Sequence, residues 1–444
     1  MKKKVLFMIV GALMPLSFLF VSCSDDDDDA KNKPEKENVD GYYYKSHCKD
    51  IQLIGEGSSG FNADSYNKTS LNEAETQVVD GINDFSFRLF KKLEGSDVKK
   101  NIFVSPFSIQ QVLAMVGNGA DDSALAEIYA TLGYDGSQAN YNAANRVLLN
   151  MVKKSDDSGK LEIANAAWID YKLPVFKAFS SDIQNFYDSD IMGLDVMASD
   201  AGKIVNSWCA DKTHDMIPSI VDDGPLSGRL LLANAVYFKA MWSSQFSSEK
   251  TTKQRFYNTN GTSSDVDMMR WNKPETAMCA SMEKMDAVSL PFVSGYEMMV
   301  FLPKDKAGLA ACINSMDFAT WNTSLSMLNP MPVDVIMPKF KIKDDMNLIS
   351  ILKSMGIKKL FTDDGCLSRL STMPLIASEF AQKSVINVDE KGTEAAALTY
   401  LIERNALPET NPKPVEFKVD HPFMYVIYDT KTRTIIFTGC VKEL

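Results

Sequence analysis

The sequence predicts a single α+β domain, because helical periodicity marks its first part and strand-like runs follow. Within residues 76–93 the apolar positions recur at helical spacing on one face; they are Val79, Ile82, Phe85, Leu89 and Leu93. From residue 161 onwards, the runs 161–169, 230–238 and 333–337 are typical of strands. Helical segments that precede a set of strands fit an α+β architecture.

The remaining elements follow from local signals. Residues 108–116 predict a second helix, with Ser108 near its N-terminal cap. Residues 346–355 return to a helical pattern, and the glycine that follows is a natural helix stop. The apolar runs 423–428 and 434–437, separated by polar residues, predict a closing β-hairpin.

Length, composition and charge limit the classes of function. The chain has 444 residues, 45% of them hydrophobic, so it can bury a large core. Its formal charge of −11 at pH 7 argues against nucleic acid as a partner, because binding phosphates needs a basic face. The seven cysteines are scattered without a Cys-x-x-Cys pair, which favours buried free thiols over a disulfide framework.

The N-terminus has the pattern of an export signal. Residues 2–4 are lysines, and residues 5–21 form an apolar stretch too short to favour a permanent membrane span. Residues 20–23 resemble the lipobox of bacterial lipoproteins, in which the cysteine is lipidated and becomes the new N-terminus. This predicts a signal peptide over residues 1–22 and lipidation of Cys23. A plain secretory signal with an incidental cysteine is the alternative.

The residues after Cys23 predict where the mature chain is held. Residues 25–29 form an acidic run that resembles the surface-export signals of some lipoproteins, and Ser24 rather than Asp follows the cysteine. We therefore expect an outer-membrane lipoprotein that faces outward. Residues 23–70 are polar with little periodic apolar content, so they are interpreted as a tether that leads to a domain over residues 71–444.

The segment 390–399 is the most informative part of the chain, because its local propensities conflict. Residues 394–398 are rich in Ala and suit a helix. Read with a period of two, the same segment presents one face of only Thr and Ala, whereas an ordinary buried strand carries larger side chains. A small-faced segment that opens with Gly392 suits a strand that slides between strands already in place. A solvated linker is the alternative.

Many short motifs occur along the chain in the order of one family. They are residues 101–109, 113–120, 164–168, 205–208, 232–242, 290–292, 301–303, 337–340, 421–423 and 436–439. Together with segment 390–399, they closely resemble the serpins, a family of protease inhibitors, over about residues 71–444. The resemblance implies three β-sheets surrounded by helices, with an exposed reactive-centre loop at about residues 390–415.

The resemblance also implies a mechanism that needs no catalytic group of the inhibitor's own. A serine protease cleaves the loop and forms an acyl-enzyme, and the freed segment then inserts into the central sheet and distorts the protease before deacylation. The sequence contains no Gly-x-Ser-x-Gly or His-Glu-x-x-His motif. We therefore expect a monomer that is not an enzyme and needs no metal or other cofactor.

The hinge of the implied loop is built of small or flexible residues. Gly392 frees the backbone, and the side chains that would face inward on insertion are small. The hinge consists of Glu390, Gly392, Thr393, Ala395, Ala396, Ala397 and Thr399. Non-inhibitory serpins tend to carry Pro, charged or bulky residues here, so the pattern favours an inhibitor.

By resemblance, the central sheet contains a polar cluster whose hydrogen bonds exchange as the strands part. Ser105, Ser108 and Asn234 belong to this cluster, and Gln382 stands where the family usually has His. Trp242 matches the aromatic residue at the top of the sheet, where insertion starts. Simple core packing is the alternative for all five residues.

The family's usual interval from Glu390 puts the cleaved bond between Ala406 and Leu407. Ala406 suits an elastase-like protease, whose pocket accepts small side chains. The stretch from Ala406 to Pro422 is longer than is common, so Arg404 or Leu407 are alternatives that would serve trypsin-like or chymotrypsin-like enzymes. The sequence thus predicts a surface-anchored suicide inhibitor of elastase-like serine proteases. A non-inhibitory binding protein of the same fold and an inhibitor of cysteine proteases are the competing hypotheses.

Overall fold

The computed structural model describes residues 42–96, 100–156, 159–377, 380–393 and 413–444. The α-helices within these residues are α1 (Tyr44–His47), α2 (Glu73–Ser96), α3 (Pro106–Gly117), α4 (Asp122–Leu132), α5 (Gln138–Val152), α6 (Lys177–Tyr187), α7 (Ala201–Lys212), α8 (Leu309–Ser315), α9 (Phe318–Ser326) and α10 (Ile349–Met355). Short 3-10 helices span Ala63–Tyr66 and Lys359–Phe361.

The strands are spread over most of the same residues. They are β1 (Gln52–Ile54), β2 (Ile102–Val104), β3 (Lys154–Asp156), β4 (Gly159–Asp170), β5 (Pro174–Phe176), β6 (Ser189–Leu194), β7 (Leu230–Met241), β8 (Phe246–Tyr257), β9 (Ser263–Trp271), β10 (Glu275–Ser281), β11 (Met285–Pro291), β12 (Tyr296–Pro303), β13 (Asn329–Pro338), β14 (Phe340–Asn347), β15 (Ala381–Val388), β16 (Gly392–Thr393), β17 (Val415–Lys418), β18 (Phe423–Asp429) and β19 (Ile435–Val441).

These strands form three sheets. The central seven-stranded sheet has the order β14-β15-β16-β7-β4-β3, with β6 also paired to β4. A ten-stranded sheet has the order β2-β19-β18-β12-β11-β10-β13-β9-β8, with β17 beside β13. Strands β1 and β5 form a separate two-stranded sheet. The α+β class and the three sheets with surrounding helices that the sequence predicts are confirmed.

The central sheet consists of two long antiparallel pairs that meet at a very short strand. On one side β4 pairs with β7, and on the other β14 pairs with β15. Between them stands β16, which consists of Gly392 and Thr393 alone. Among the described residues, β15 and β7 are joined through β16, and no ladder pairs them directly.

Helix α3 passes through the interior against strands of both large sheets, and all of its residues are buried. The sequence places its start near Ser108, but the helix begins two residues earlier, at Pro106. Proline suits the first helical position, because its missing N–H would have no partner there. Ser105 is the cap residue, and its Oγ accepts a hydrogen bond from the Ser108 N–H at 3.2 Å.

The bounds of helix α10 and of the C-terminal hairpin can also be compared with the sequence prediction. The helix predicted from residue 346 begins at Ile349, because β14 continues through Asn347 with alternating buried and exposed side chains. It ends as predicted at Gly356, whose φ of +120° favours glycine. The predicted closing hairpin is present as β18 and β19.

Residues 42–70 differ from the tether that their polar composition predicts. This segment contains α1, β1 and a 3-10 helix, and β1 pairs in parallel with β5. Aromatic residues at irregular intervals hold it to the domain: Tyr44 is buried, and Phe61 and Tyr66 contact Phe186 at centroid distances of 5.3 and 5.8 Å. Such irregularly spaced anchors give no helical or strand periodicity, so the sequence pattern did not reveal them.

The cysteines of the described residues are free thiols, and several lie deep in the core. Cys209 and Cys440 are fully buried, and burial raises the pKa of each thiol to about 12. A thiol with a pKa that high stays protonated near neutral pH and reacts slowly. These residues act as small apolar side chains of the core.

Candidate functional site

The turn between β15 and β16 is fixed by Asp389, a residue that sequence reasoning did not select. Its Oδ1 accepts hydrogen bonds from the backbone N–H groups of Lys391 at 2.8 Å and Gly392 at 3.3 Å. Its own N–H donates to the Gly392 carbonyl at 3.0 Å. The Asp side chain therefore builds a tight turn that reverses the chain back into the sheet.

Gly392 is required at this turn for two physical reasons. Its φ is +150°, a conformation that side chains with a Cβ rarely adopt. A Cβ placed on it would also lie 2.0 Å from the carbonyl oxygen of Ala240 on β7. The glycine therefore allows the loop backbone to enter directly against β7.

Thr393 is the first residue of the predicted hinge that lies within the sheet. It is 2% exposed and stands between Val388 of β15 and Ala240 of β7. The Ala240 N–H donates to Thr393 Oγ1 at 3.0 Å. The side chain thus occupies the upper end of the gap between the two halves of the central sheet.

Glu390 anchors the same turn from the opposite side. Its carboxylate accepts from Lys339 Nζ at 2.9 Å and from Thr251 Oγ1 at 2.8 Å, and its carbonyl accepts from the Phe246 N–H at 2.9 Å. Burial raises the pKa of this carboxyl, but hydrogen bonds from Lys339, a backbone N–H and Thr251 outweigh burial, so the pKa lies below its usual value. The charged form of Glu390 is therefore the one that holds the turn.

Trp242 lies at the top of the sheet, beside this turn. Its indole Nε1–H donates to the Asp389 carbonyl and its backbone N–H donates to the Lys391 carbonyl, both at 2.9 Å. The ring stacks on Phe292 with a centroid distance of 4.3 Å. Trp242 therefore contacts the segment at which a new strand would enter.

The predicted polar cluster forms two hydrogen-bonded groups, one on each side of the gap. On the β15 side, Gln382 Oε1 accepts from the Ser105 N–H at 2.9 Å, and its Nε2–H donates to the Ser105 carbonyl at 3.1 Å. On the β7 side, Ser108 Oγ donates to Asn234 Oδ1. The hydrogen bond from the Ser108 N–H to Ser105 Oγ at the start of α3 joins the two groups. A small cavity between the groups is lined by Ser108, Asn234 and Gln382.

Asn165 extends this cluster and was missed by the sequence reasoning. It lies on β4 directly opposite Asn234, whose Nδ2–H donates to Asn165 Oδ1 at 2.7 Å. Its own Nδ2–H donates to the Tyr187 carbonyl at the end of α6, at 2.8 Å. The signal available in the sequence was an Asn among the apolar residues of a predicted strand; in the structure it is buried and needs hydrogen-bond partners.

Several predicted site residues lie outside the described residues. They are the hinge residues Ala395, Ala396, Ala397 and Thr399, the loop residues Arg404, Ala406 and Leu407, and the lipidation residue Cys23. The described chain resumes at Lys413, and β17 pairs in parallel with β13 from Val415. The ends of the loop are therefore defined on two sheets.

The described ranges contain no group of three or more His, Cys, Asp or Glu side chains that could hold a metal ion. His421 is buried with Nδ1 2.8 Å from Asp420 Oδ1 and Nε2 2.8 Å from the Pro303 carbonyl oxygen. Both ring nitrogens thus have structural partners. No helix in the described part of the chain is long and apolar enough to cross a bilayer.

Comparison with known proteins decides the family. The sequence profile described as "Serpin (serine protease inhibitor)" matches residues 80–444. The chain belongs to the serpin family. Proteins of this family are in general protease inhibitors rather than enzymes.

Individual relatives match most of this chain and nearly all of their own length. Iripin-3 of Ixodes ricinus is 32% identical over 384 residues, which are 84% of this chain and 96% of that protein. The native structure of the thermophilic serpin tengpin has a TM-score of 0.75 and 25% identity, and the match covers 91% of this chain and 99% of tengpin. Human thyroxine-binding globulin, solved in complex with thyroxine, has a TM-score of 0.75 and 26% identity, over 83% of this serpin and 99% of that chain.

Proposed function

We propose that this serpin is a suicide-substrate inhibitor of serine proteases. The observation that carries the proposal is the position of Gly392 and Thr393 at the upper end of the gap between β15 and β7. A strand added below them would pair its backbone with both neighbours, as in other cases of strand addition. The intact chain would then be held in a less stable state by a kinetic barrier.

The chemistry of the proposed trap belongs to the protease. Its serine Oγ attacks the carbonyl carbon of Ala406, the bond to the Leu407 nitrogen breaks, and Leu407 leaves as a free amine. The ester that remains links the protease to the loop. Insertion of residues 394–406 as a strand would pull the protease away before water attacks the ester. Inhibition therefore requires that strand insertion be faster than deacylation of the ester.

We further propose an elastase-like target, because Ala406 offers a small side chain at the cleaved bond. Arg404 and Leu407 define the trypsin-like and chymotrypsin-like alternatives within the same loop. The test is incubation of the chain from Tyr42 onward with a pancreatic-type elastase, followed by denaturing electrophoresis and mass spectrometry. The expected product is a denaturant-resistant complex with cleavage after Ala406.

A matched variant separates target preference from the trap itself. In Ala406→Arg, the complex with elastase should be lost and a complex with a trypsin-like protease gained, with the mass of the released peptide unchanged. Cleavage without any complex, by either enzyme, would contradict the inhibitor proposal and favour a non-inhibitory binding protein. Cleavage at another loop residue would contradict only the assignment of Ala406.

We also propose that the chain is a lipoprotein held at the outer face of the outer membrane through Cys23. The support is the sequence pattern of residues 1–29. In cells fed a radiolabelled fatty acid, the full-length chain should carry label that Cys23→Ala removes. Protease added to intact cells should digest the anchored domain; protection from digestion would contradict the outward orientation.

A further inference from the structure

The segment 42–66, which we term the N-terminal strap, lies across the face of the domain beside helix α7. It contacts α7 through its first residues, then passes β6, pairs with β5 and reaches α6 and α5. Helix α7 in turn packs against β4 and β7 of the central sheet. The strap therefore connects α7, which packs against β4 and β7, to helices α5 and α6.

The contacts with α7 involve two neighbouring tyrosines. Tyr43 OH donates to Asp200 Oδ2 at 2.9 Å, at the start of the helix, and Lys203 Nζ lies 4.7 Å from the Tyr43 ring centroid. Tyr44 OH donates to Asp211 Oδ2 at 2.8 Å, near the end of the helix. The strap thus holds α7 near both of its ends. Hydrogen bonds to charged groups are stronger than neutral ones.

Tyr44 also joins the apolar layer between α7 and the sheet. It is 8% exposed and meets Trp168 of β4 edge to face, at a centroid distance of 6.5 Å. Trp168 makes the same kind of contact with Trp208 of α7 at 6.2 Å. The three rings form one buried cluster that includes strap, strand and helix.

The other end of the strap is fixed to different elements. The Lys49 N–H donates to the Gly193 carbonyl of β6 at 2.8 Å, and a Cβ on Gly193 would lie 2.3 Å from the Lys49 carbonyl oxygen. Farther along, Phe61 meets Phe186 of α6, and Asn150 Nδ2–H of α5 donates to the Tyr66 carbonyl at 3.1 Å. Displacement of α7 relative to α5 and α6 would therefore have to break strap contacts.

We propose that the N-terminal strap is a clamp that sets the rate at which the central sheet opens. A strand that enters between β15 and β7 must separate the two, and on the β7 side both β7 and β4 pack against α7, which the strap holds at both ends. Weakening the strap should lower the barrier to insertion without altering the loop. The inference rests on the proposed function, because the opening that it regulates is the one that traps a protease.

The test compares the chain from Tyr42 onward with the double variant Tyr43→Phe, Tyr44→Phe. This change removes both hydroxyl donors and keeps the rings. Tyr257→Phe, at an exposed tyrosine outside the strap, is the control. The measurement is the rate at which each uncleaved protein takes up a fluorescent peptide with the sequence of residues 393–406, followed on native gels. Hydrogen exchange of the α7 amides is measured in parallel.

We expect the double variant to take up the peptide about tenfold faster, with faster exchange in α7, and the control to match the parent chain. Equal uptake rates in the parent and the double variant would overturn the strap proposal alone. If no chain takes up the peptide and cleavage of the loop brings no gain in thermal stability, insertion itself fails, and the proposed function fails with it.

Discussion

Thr393 lies in the central sheet opposite Ala240, whose N–H donates to the Thr393 hydroxyl oxygen at 3.0 Å. The residue is buried, and it is the last described residue before the segment 394–412. Any further insertion must begin from this position.

Replacing Thr393 by Arg should convert the serpin from an inhibitor into a substrate. A long cationic side chain cannot be buried between β15 and β7 without leaving an unpaired charge. Insertion should therefore become slower than hydrolysis of the acyl-enzyme, and the protease should be released. The measurement is the ratio of complex to cleaved product after incubation with elastase. Thr393→Ser keeps the hydroxyl and should retain the complex, and Thr262→Arg controls for the added charge on an exposed surface. Equal complex formation by Thr393→Arg and the parent would contradict this role.

The Glu390–Lys339 pair should make the turn sensitive to acid. Because the pKa of Glu390 is lowered from its usual 4.5, its contribution to stability is present above that pH and is lost as pH falls through the lower folded-state value. Glu390→Gln should cost about 1 kcal/mol at pH 7, a modest value because Lys339 is partly exposed, and less near pH 3. Urea unfolding at both pH values measures this difference.

Asp345→Asn provides the control, because it disrupts an ion pair between Asp345 on β14 and Lys383 on the neighbouring strand β15. The Asp345 side chain is 64% exposed. We expect a cost of about 0.5 kcal/mol or less from that change. An equal loss for Glu390→Gln at pH 7 and pH 3 would show that its charge does not support the turn.

Gln382→Leu should destabilise the folded chain by about 2 kcal/mol, because it leaves the buried Ser105 N–H and carbonyl without the Gln partner. Chemical denaturation of the uncleaved protein measures this cost. Gln77→Leu, on the exposed face of α2, should cost far less. A loss no larger than that of Gln77→Leu would mean that water or another group replaces the Gln382 amide.

Gly392→Ala should expel β16 from the sheet, because its Cβ would overlap the Ala240 carbonyl oxygen and the positive φ disfavours any other residue. Hydrogen exchange at residues 236–242 should rise, since the Ala240 N–H loses its bond to Thr393. Gly95→Ala, where a Cβ meets no atom within 4 Å, is the matched control. Unchanged exchange in the Gly392 variant would contradict the steric argument.

The class of fold was predictable because its signals are local and repeated. The apolar periodicity around Ile82 and Phe85 indicated the long helix α2, and the two apolar runs at the C-terminus indicated the hairpin β18–β19. The strap was not predictable, since it docks through irregularly spaced aromatic residues such as Tyr44 and Phe61. A single contact of this kind has no period in the sequence.

The site was predictable in part. Ser105, Ser108, Asn234, Gln382 and Trp242 were selected by resemblance, and the structure brings them to the gap and its upper end. Their role in opening the sheet stays a prediction. Partners joined by tertiary contacts, such as Asn165 across from Asn234 or Asp389 within the turn, could not be assigned from sequence spacing. Local propensity also could not reveal that the hinge enters the sheet at Thr393.

The central claim is that the loop inserts after cleavage, and the most direct measurement is thermal unfolding before and after the loop is cut within residues 394–412. A cleaved chain that gains a strand between β15 and β7 should unfold at least about 10 °C higher than the intact chain, because the added backbone hydrogen bonds and burial remove the metastable state. An unchanged or lower unfolding temperature would contradict insertion and the inhibitory function proposed from it.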